Sequence, residues 1–261
     1  MPAKNKRIGR GTDPDFYMEV AKGNVSGHSI VNKFGENPSL VIGSSYEDIW
    51  HGGLTYEGMP AGTTGKTIDI FSSSTADDAG AGGARTIELQ GLSTTYAVQT
   101  ETMTLNGTAL VSSTNNWTRM NRGIVKTAGS SGSNIGDITA QHTGTTDRFM
   151  KLPAGHNQTM ISCYTVPGGK TGYITDWHAG VGKAAGAVDI NCRLLARPSS
   201  GVFNVKEEMA IRGGGNSQIN RVFTLPKGPF TEKTDIKIAA VTDTTDMPVQ
   251  AGFGILLVDN T

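Results

Sequence analysis

The stretch VDINCRLL at residues 188–195 decides the fold class, because Val188, Ile190, Cys192 and Leu194 alternate with Asp189, Asn191 and Arg193. Successive strand side chains point to opposite faces, so a period of two describes a sheet with one dry and one wet face. The same style recurs at 67–71, 86–90, 96–105, 109–112, 118–126 and 135–140, and again at 159–166, 172–177, 202–205, 218–225, 233–241 and 250–258. Gly, Pro, Asn, Asp and Ser clusters bound these runs. The last run carries Phe253, Ile255 and Leu257 on one face, which predicts a terminal strand tied into a sheet. Asn106-Gly107 predicts a type I′ turn, and the Ser/Thr/Asp/Gly segment 72–83 predicts a hairpin connection. Helix signals are nearly absent.

Composition points the same way. Glycine contributes 35 of 261 residues, nearly twice the ordinary ~7%, and 36% apolar with 18% charged residues suffices for a packed core. The 23 basic and 23 acidic residues cancel, which leaves no electrostatic footprint for nucleic acid. Lys4, Lys6, Arg7 and Arg10 form one short basic cluster, read as a solvated or docking arm. With no apolar run long enough to span a bilayer and no secretory-type leader, a soluble product is expected. The fold expected is all-β, an antiparallel β-sandwich of jelly-roll-like kind. Three regions are expected: an extended N-terminal arm (1–62), where apolar residues come only in short bursts; a β-rich region (63–152); and a β-sandwich region (153–261).

Motifs for chemistry fail one by one. Gly65-Lys66-Thr67 and Gly169-Lys170-Thr171 lack the leading glycine of a phosphate loop, since Pro60 and Tyr164 hold that position. Gly180-x-Gly182 ends at Ala185 where dinucleotide binding needs a third glycine. His28, His51, His142, His156 and His178 show no metal-ligand spacing, and Asp77-Asp78 lacks the alternating ladder of a calcium loop. Cys163 and Cys192 read as buried small hydrophobes rather than a disulfide or a redox pair. No catalytic residue, metal or cofactor is expected. Trp50, Trp117 and Trp177 read first as core or interface anchors, with sugar stacking by Trp117 or Trp177 as the competing use.

Several longer phrases carry a resemblance. TIDIFSSSTADDAGAGGARTIELQGL (67–92), NRGIVKTAGSSGSNIGDI (121–138), FYMEVAKGNVSGHSIVNKFGENPSL (16–40), YEDIWHGG (46–53), HNQTMISCYTVPGGKTGYI (156–174) and AGFGILLVDN (251–260) together resemble a family of tailed-bacteriophage virion structural proteins. The resemblance covers most of the chain and implies a virion component, made in the host cytoplasm, that binds rather than catalyses. The expected role is a capsid decoration or cement protein on the capsid exterior, with the major capsid protein and further copies of itself, as a trimer, for partners. Neither membrane nor nucleic acid is expected as a partner. Phe16, Tyr17, Phe34 and Trp50 are the expected interface anchors, because aromatics are enriched in interface cores, with completion of the protomer's own core as the competing use. A collar, tail-adaptor or fibre-like protein at a unique vertex, and a glycan-binding surface module, are the alternatives.

Overall fold

The computed structural model describes residues 14–43, 45–60, 64–182, 187–214, 217–243 and 246–260. The basic cluster Lys4, Lys6, Arg7 and Arg10 lies outside them. The described chain begins with one short helix, α1 (Pro14–Ala21). Pro14 suits the first helical position, where its missing N–H costs nothing, and Gly23 at φ +75° ends the helix in the left-handed conformation.

Sixteen strands follow: β1 (His28–Leu40), β2 (Glu47–Asp48), β3 (Ile68–Ser72), β4 (Ala84–Leu92), β5 (Val98–Thr104), β6 (Val111–Ser112), β7 (Arg119–Ala128), β8 (Ile138–His142), β9 (Met150–Leu152), β10 (Cys163–Thr165), β11 (Lys170–Val181), β12 (Ala187–Arg197), β13 (Asn204–Gly214), β14 (Ser217–Phe230), β15 (Asp235–Thr242) and β16 (Met247–Asp259). They form four sheets, ordered β1-β16-β11-β14, β10-β15-β12-β13 with β2 beside β15, β6-β3-β8-β9, and β5-β4-β7. All the strand pairings are antiparallel. The all-β antiparallel expectation therefore holds.

Buried apolar residues fall into two clusters, each filled mainly from two sheets. Ile190, Cys192 and Leu194 of β12 face Trp177, Phe253 and Ile255 from the β1-β16-β11-β14 sheet, so the alternation at 188–195 points where its period demands. The second core joins Ile68, Ile70 and Ile138 to Ile87, Leu89 and Met103. Apart from β2, which joins it at β15, the first sheet pair draws on β1 and on β10–β16, and β3–β9, which lie between in sequence, form the two sheets of an inserted unit around the second core.

Three expectations need correction. Residues 28–40 are not an arm laid over a surface: β1 pairs along its length with β16, residues more than two hundred positions away. Its bursts hide the period because Lys33 and Asn37 are buried polar residues on an otherwise dry face. Residues 72–83 do not close a hairpin, because β3 and β4 belong to different sheets. Nor is Asn106-Gly107 a type I′ turn, which needs positive φ at both central residues. Here Gly107 alone has it, at +60°, and the turn closes from Ala109 N–H to the Asn106 carbonyl at 3.0 Å, between strands of different sheets.

The two units are locked by a buried carboxylate. Asp235, at the start of β15, accepts Arg119 Nε at 2.8 Å and Nη2 at 3.1 Å, Thr165 Oγ1 at 2.6 Å, and Arg197 Nε at 3.0 Å. Arg119 belongs to the insert and is itself buried. Beside it, Lys237 Nζ pairs with the buried Asp48 at 2.7 Å. Asp235→Ala would strand a desolvated guanidinium, and we expect a loss of about 3–5 kcal/mol, read from the urea midpoint of unfolding. A loss below about 1 kcal/mol would show that the two units do not depend on this contact.

Candidate interaction surfaces

The four aromatic residues expected to dock do not converge. Phe16 and Tyr17 lie on α1, ring centroids 5.4 Å apart, and Phe16 also meets His28 at 6.0 Å. Both are half-buried, and burial, seconded by the charge of Asp176, raises the Tyr17 phenol above its ordinary value. Phe34 lines a cavity of about 300 Å³ with His178, Gln218, Asn220 and Gln250 on the outer side of its sheet. Trp50 is 1% exposed: it sits in the second core, donates Nε1–H to the Gly53 carbonyl at 2.8 Å, and meets Tyr56 edge-on. Trp50 therefore serves this chain's own core and is not an exposed anchor. Ile161 bridges to both Phe34 and Trp50, so both flank it at the joint between the units.

Trp117 and Trp177 are fully buried, which removes both from sugar stacking in this conformation. Asp77 is equally unavailable as a cation ligand. Its carboxylate is filled by Ala84 and Ile135 N–H on Oδ1, each at 2.8 Å, and by Ser72 Oγ at 2.6 Å and Gly136 N–H at 2.8 Å on Oδ2. This hub, not a flexible tip, holds the 72–83 segment. Among the described residues no group of three or more His, Cys, Asp or Glu is placed to hold a metal ion. Gly169 sits at φ +75° in the turn entering β11, and Lys66 bridges to Trp117, so both Gly-Lys-Thr triplets lead into ladders. Burial pushes the Cys192 thiol up to about 12 and Cys163 well above its ordinary value, so both are inert packing groups. No helix of the described residues is long and apolar enough to cross a membrane.

What sequence reading missed is an asymmetry between the two flanks of the larger sheet pair. On the β1 side the insert closes the edge: Arg122 Nη2 donates to the Asn32 carbonyl at 2.7 Å, Lys33 Nζ donates to the Asn121 carbonyl, and Phe34 bridges to Ile161. On the other side, among the described residues, the ladder partner of β13 is β12 and that of β14 is β11, and the two edge strands meet each other through side chains, Lys227 Nζ donating to the Lys206 carbonyl at 2.8 Å. Around them stand Val202, Val205, Val222 and Leu225, exposed by 72%, 48%, 73% and 83%. Charges of both signs accompany them. Glu207 pairs with Arg221 and Lys227 across the two strands, and Lys227 lies 5.4 Å over the Phe223 ring. A long edge with exposed aliphatics invites another chain. The run 218–225 carried a signal in its exposed Val222 and Leu225, but only placement on an open flank makes them a surface.

At the joint, His51 lies 3.9 Å from Glu36 and 6.1 Å from the His156 ring, and its Nδ1 is buried without a hydrogen-bond partner. Burial, then Lys151 and His156, lower its pKa, against the pull of Glu36 and Asp137.

No family model matches the chain, and no curated protein matches it. Among solved structures, one described as infectious bursal disease virus Gt strain aligns over 90% of this chain and 73% of its own at 12% identity and TM-score 0.26. Infectious bursal virus derived T=1 particles align over 90% and 70%, also at 12% identity and TM-score 0.26. A likeness this low carries neither fold nor function across.

Because the folded pKa of His51 lies below the unfolded one, its neutral form supports stability above the unfolded value near 6.5, and that support is lost as pH falls through the folded value. We expect thermal stability to decline below about pH 6.5 and the decline to be shallower in His51→Gln. Parallel pH profiles for the two proteins would remove His51 as the cause.

Proposed function

We propose that this chain is a virion structural protein of tailed-phage type that decorates and cements the capsid exterior, acting by binding and not by catalysis. The observation that carries the reading is the pairing of eight strands. Numbered along the chain, β1, β10, β11, β12, β13, β14, β15 and β16 pair first with eighth, second with seventh, third with sixth and fourth with fifth, with third beside eighth and fourth beside seventh. This pairing supports reading the eight strands as a ribbon folded in half and wound on itself, the two-sheet jelly roll of many viral shell proteins. Four sheets could also be counted as propeller blades; two cores, each shared by two sheets, favour the wound ribbon. Fold alone does not assign function. The phrases resembling phage virion proteins and the open β13–β14 flank supply the rest.

In this reading the open flank joins further copies into a trimer, its mixed charges giving one copy something to pair with on the next. The half-buried aromatics Phe16, Tyr17 and Phe34 remain the candidates for contact with the major capsid protein. Bound copies would stabilise the shell as any ligand of the assembled state does, by adding buried interface across neighbouring subunits.

Copy number tests the role. Quantitative mass spectrometry of purified virions should give a ratio near one to one with the major capsid protein, and heads stripped by mild denaturant should burst more readily. A dozen or fewer copies would move the protein to the collar or tail vertex and end the cement reading. Separately, Val222→Asp with Leu225→Asp should shift the protein to monomer in sedimentation while leaving its folding midpoint within about 0.5 kcal/mol, as exposed positions do. An unchanged oligomer would remove the flank as the self-contact.

A further inference from the structure

A second site lies at the joint, independent of the virion reading. It begins with an irregularity in one ladder: Gln90 of β4 pairs with Arg122 of β7, but Gly91 pairs with Met120, so Asn121 is the extra residue of a β-bulge. The position beside it must be glycine, since a Cβ on Gly91 would stand 2.2 Å from the Arg119 carbonyl oxygen. Bulges leave one residue out of the ladder and re-aim its neighbours. Here Lys33, reaching across from β1, donates its ammonium to the Asn121 carbonyl.

Around this contact is a cavity of about 410 Å³, lined among others by Asn32, Lys33, Gln90, Asn121, Arg122 and Tyr164. Its chemistry is one-sided. Two cationic side chains reach it, no carboxylate lines it, and neither Lys33 nor Arg122 makes an ion pair among the described residues. Lys33 is only 4% exposed and uses one of three N–H donors on the Asn121 carbonyl. Burying an ammonium beside a guanidinium without a counter-charge is costly. Desolvation first, and Arg122 second, bring the Lys33 amine down to about 7.

We propose that this cavity binds a small oxyanion of the sulfate, phosphate or carboxylate class, held by the Lys33 ammonium and the Arg122 guanidinium. The planar guanidinium offers paired donors to such a group, and the lysine a compact charge. The anion supplies the missing counter-charge, and binding takes up a proton wherever Lys33 is neutral beforehand.

Sulfate is the probe, because its double charge does not change across the relevant pH range. Calorimetric titration of the full chain, in chloride buffer matched for ionic strength, should show saturable binding in the millimolar range or tighter at about pH 6, and weaker binding at about pH 9. Lys33→Met and Arg122→Gln should each weaken it roughly tenfold or more, the loss expected of one charge-assisted hydrogen bond. Arg122→Gln, at a half-exposed position, keeps the test open should Lys33→Met fail to fold. No saturable binding at pH 6, or equal binding in wild type and Arg122→Gln, would overturn the site. Equal affinity at the two pH values would also overturn it, by removing Lys33 from the binding.

Discussion

The Asp235 carboxylate, out of water and shared by Arg119, Arg197 and Thr165, is the interaction on which the arrangement of the rest depends. It ties β15 to β12 and β10 within the larger sheet pair and to β7 of the inserted unit. A buried ion cluster of this kind adds little over well-packed apolar groups, yet losing one partner leaves a stranded charge. Its physical effect is therefore on orientation: the insert can sit against the larger unit only where the donors of Arg119 meet Asp235. The neighbouring Asp48–Lys237 pair repeats the logic, with burial raising the Asp48 pKa against the opposing pull of Lys237.

That orientation has two consequences for binding. It covers the β1 edge with the insert and leaves exposed aliphatics around the β13–β14 flank of the larger sheet pair. It also brings Lys33 and Arg122 together from distant parts of the chain, with no acid between them. The proposed self-association and the proposed anion binding would thus both follow from the same lock, on opposite sides of the larger sheet pair. Neither needs a catalytic constellation, and both trade on surfaces that the protein's own packing leaves unsatisfied.

Strands with a clean alternation were legible. Residues 188–195 and 250–258 fall within β12 and β16 because both have a dry face supplied by their own side chains. β1 was not legible, since Lys33 and Asn37 occupy buried places and Gly35 lies where a Cβ would stand 2.4 Å from both the Ile49 carbonyl oxygen and the Ser162 nitrogen. β9, three residues long, and α1, eight, are too short for a periodic signal. Among the candidate anchors the residue type was informative and its destination was not: Trp50 and Phe34 are both aromatics in the same segment, yet one fills the core and the other lines a surface cavity.

The amino-acid sequence by itself determined that the chain is antiparallel β, because the period of two and the turn residues are local and need no partner to be read. Only the tertiary structure decided which strand lies beside which. β1 with β16 and Arg119 with Asp235 are pairings between segments more than a hundred residues apart, and non-local contacts leave no mark on the local pattern. The open flank and the cationic cavity follow from those pairings, since exposure and missing counter-charge are properties of what a residue is placed against.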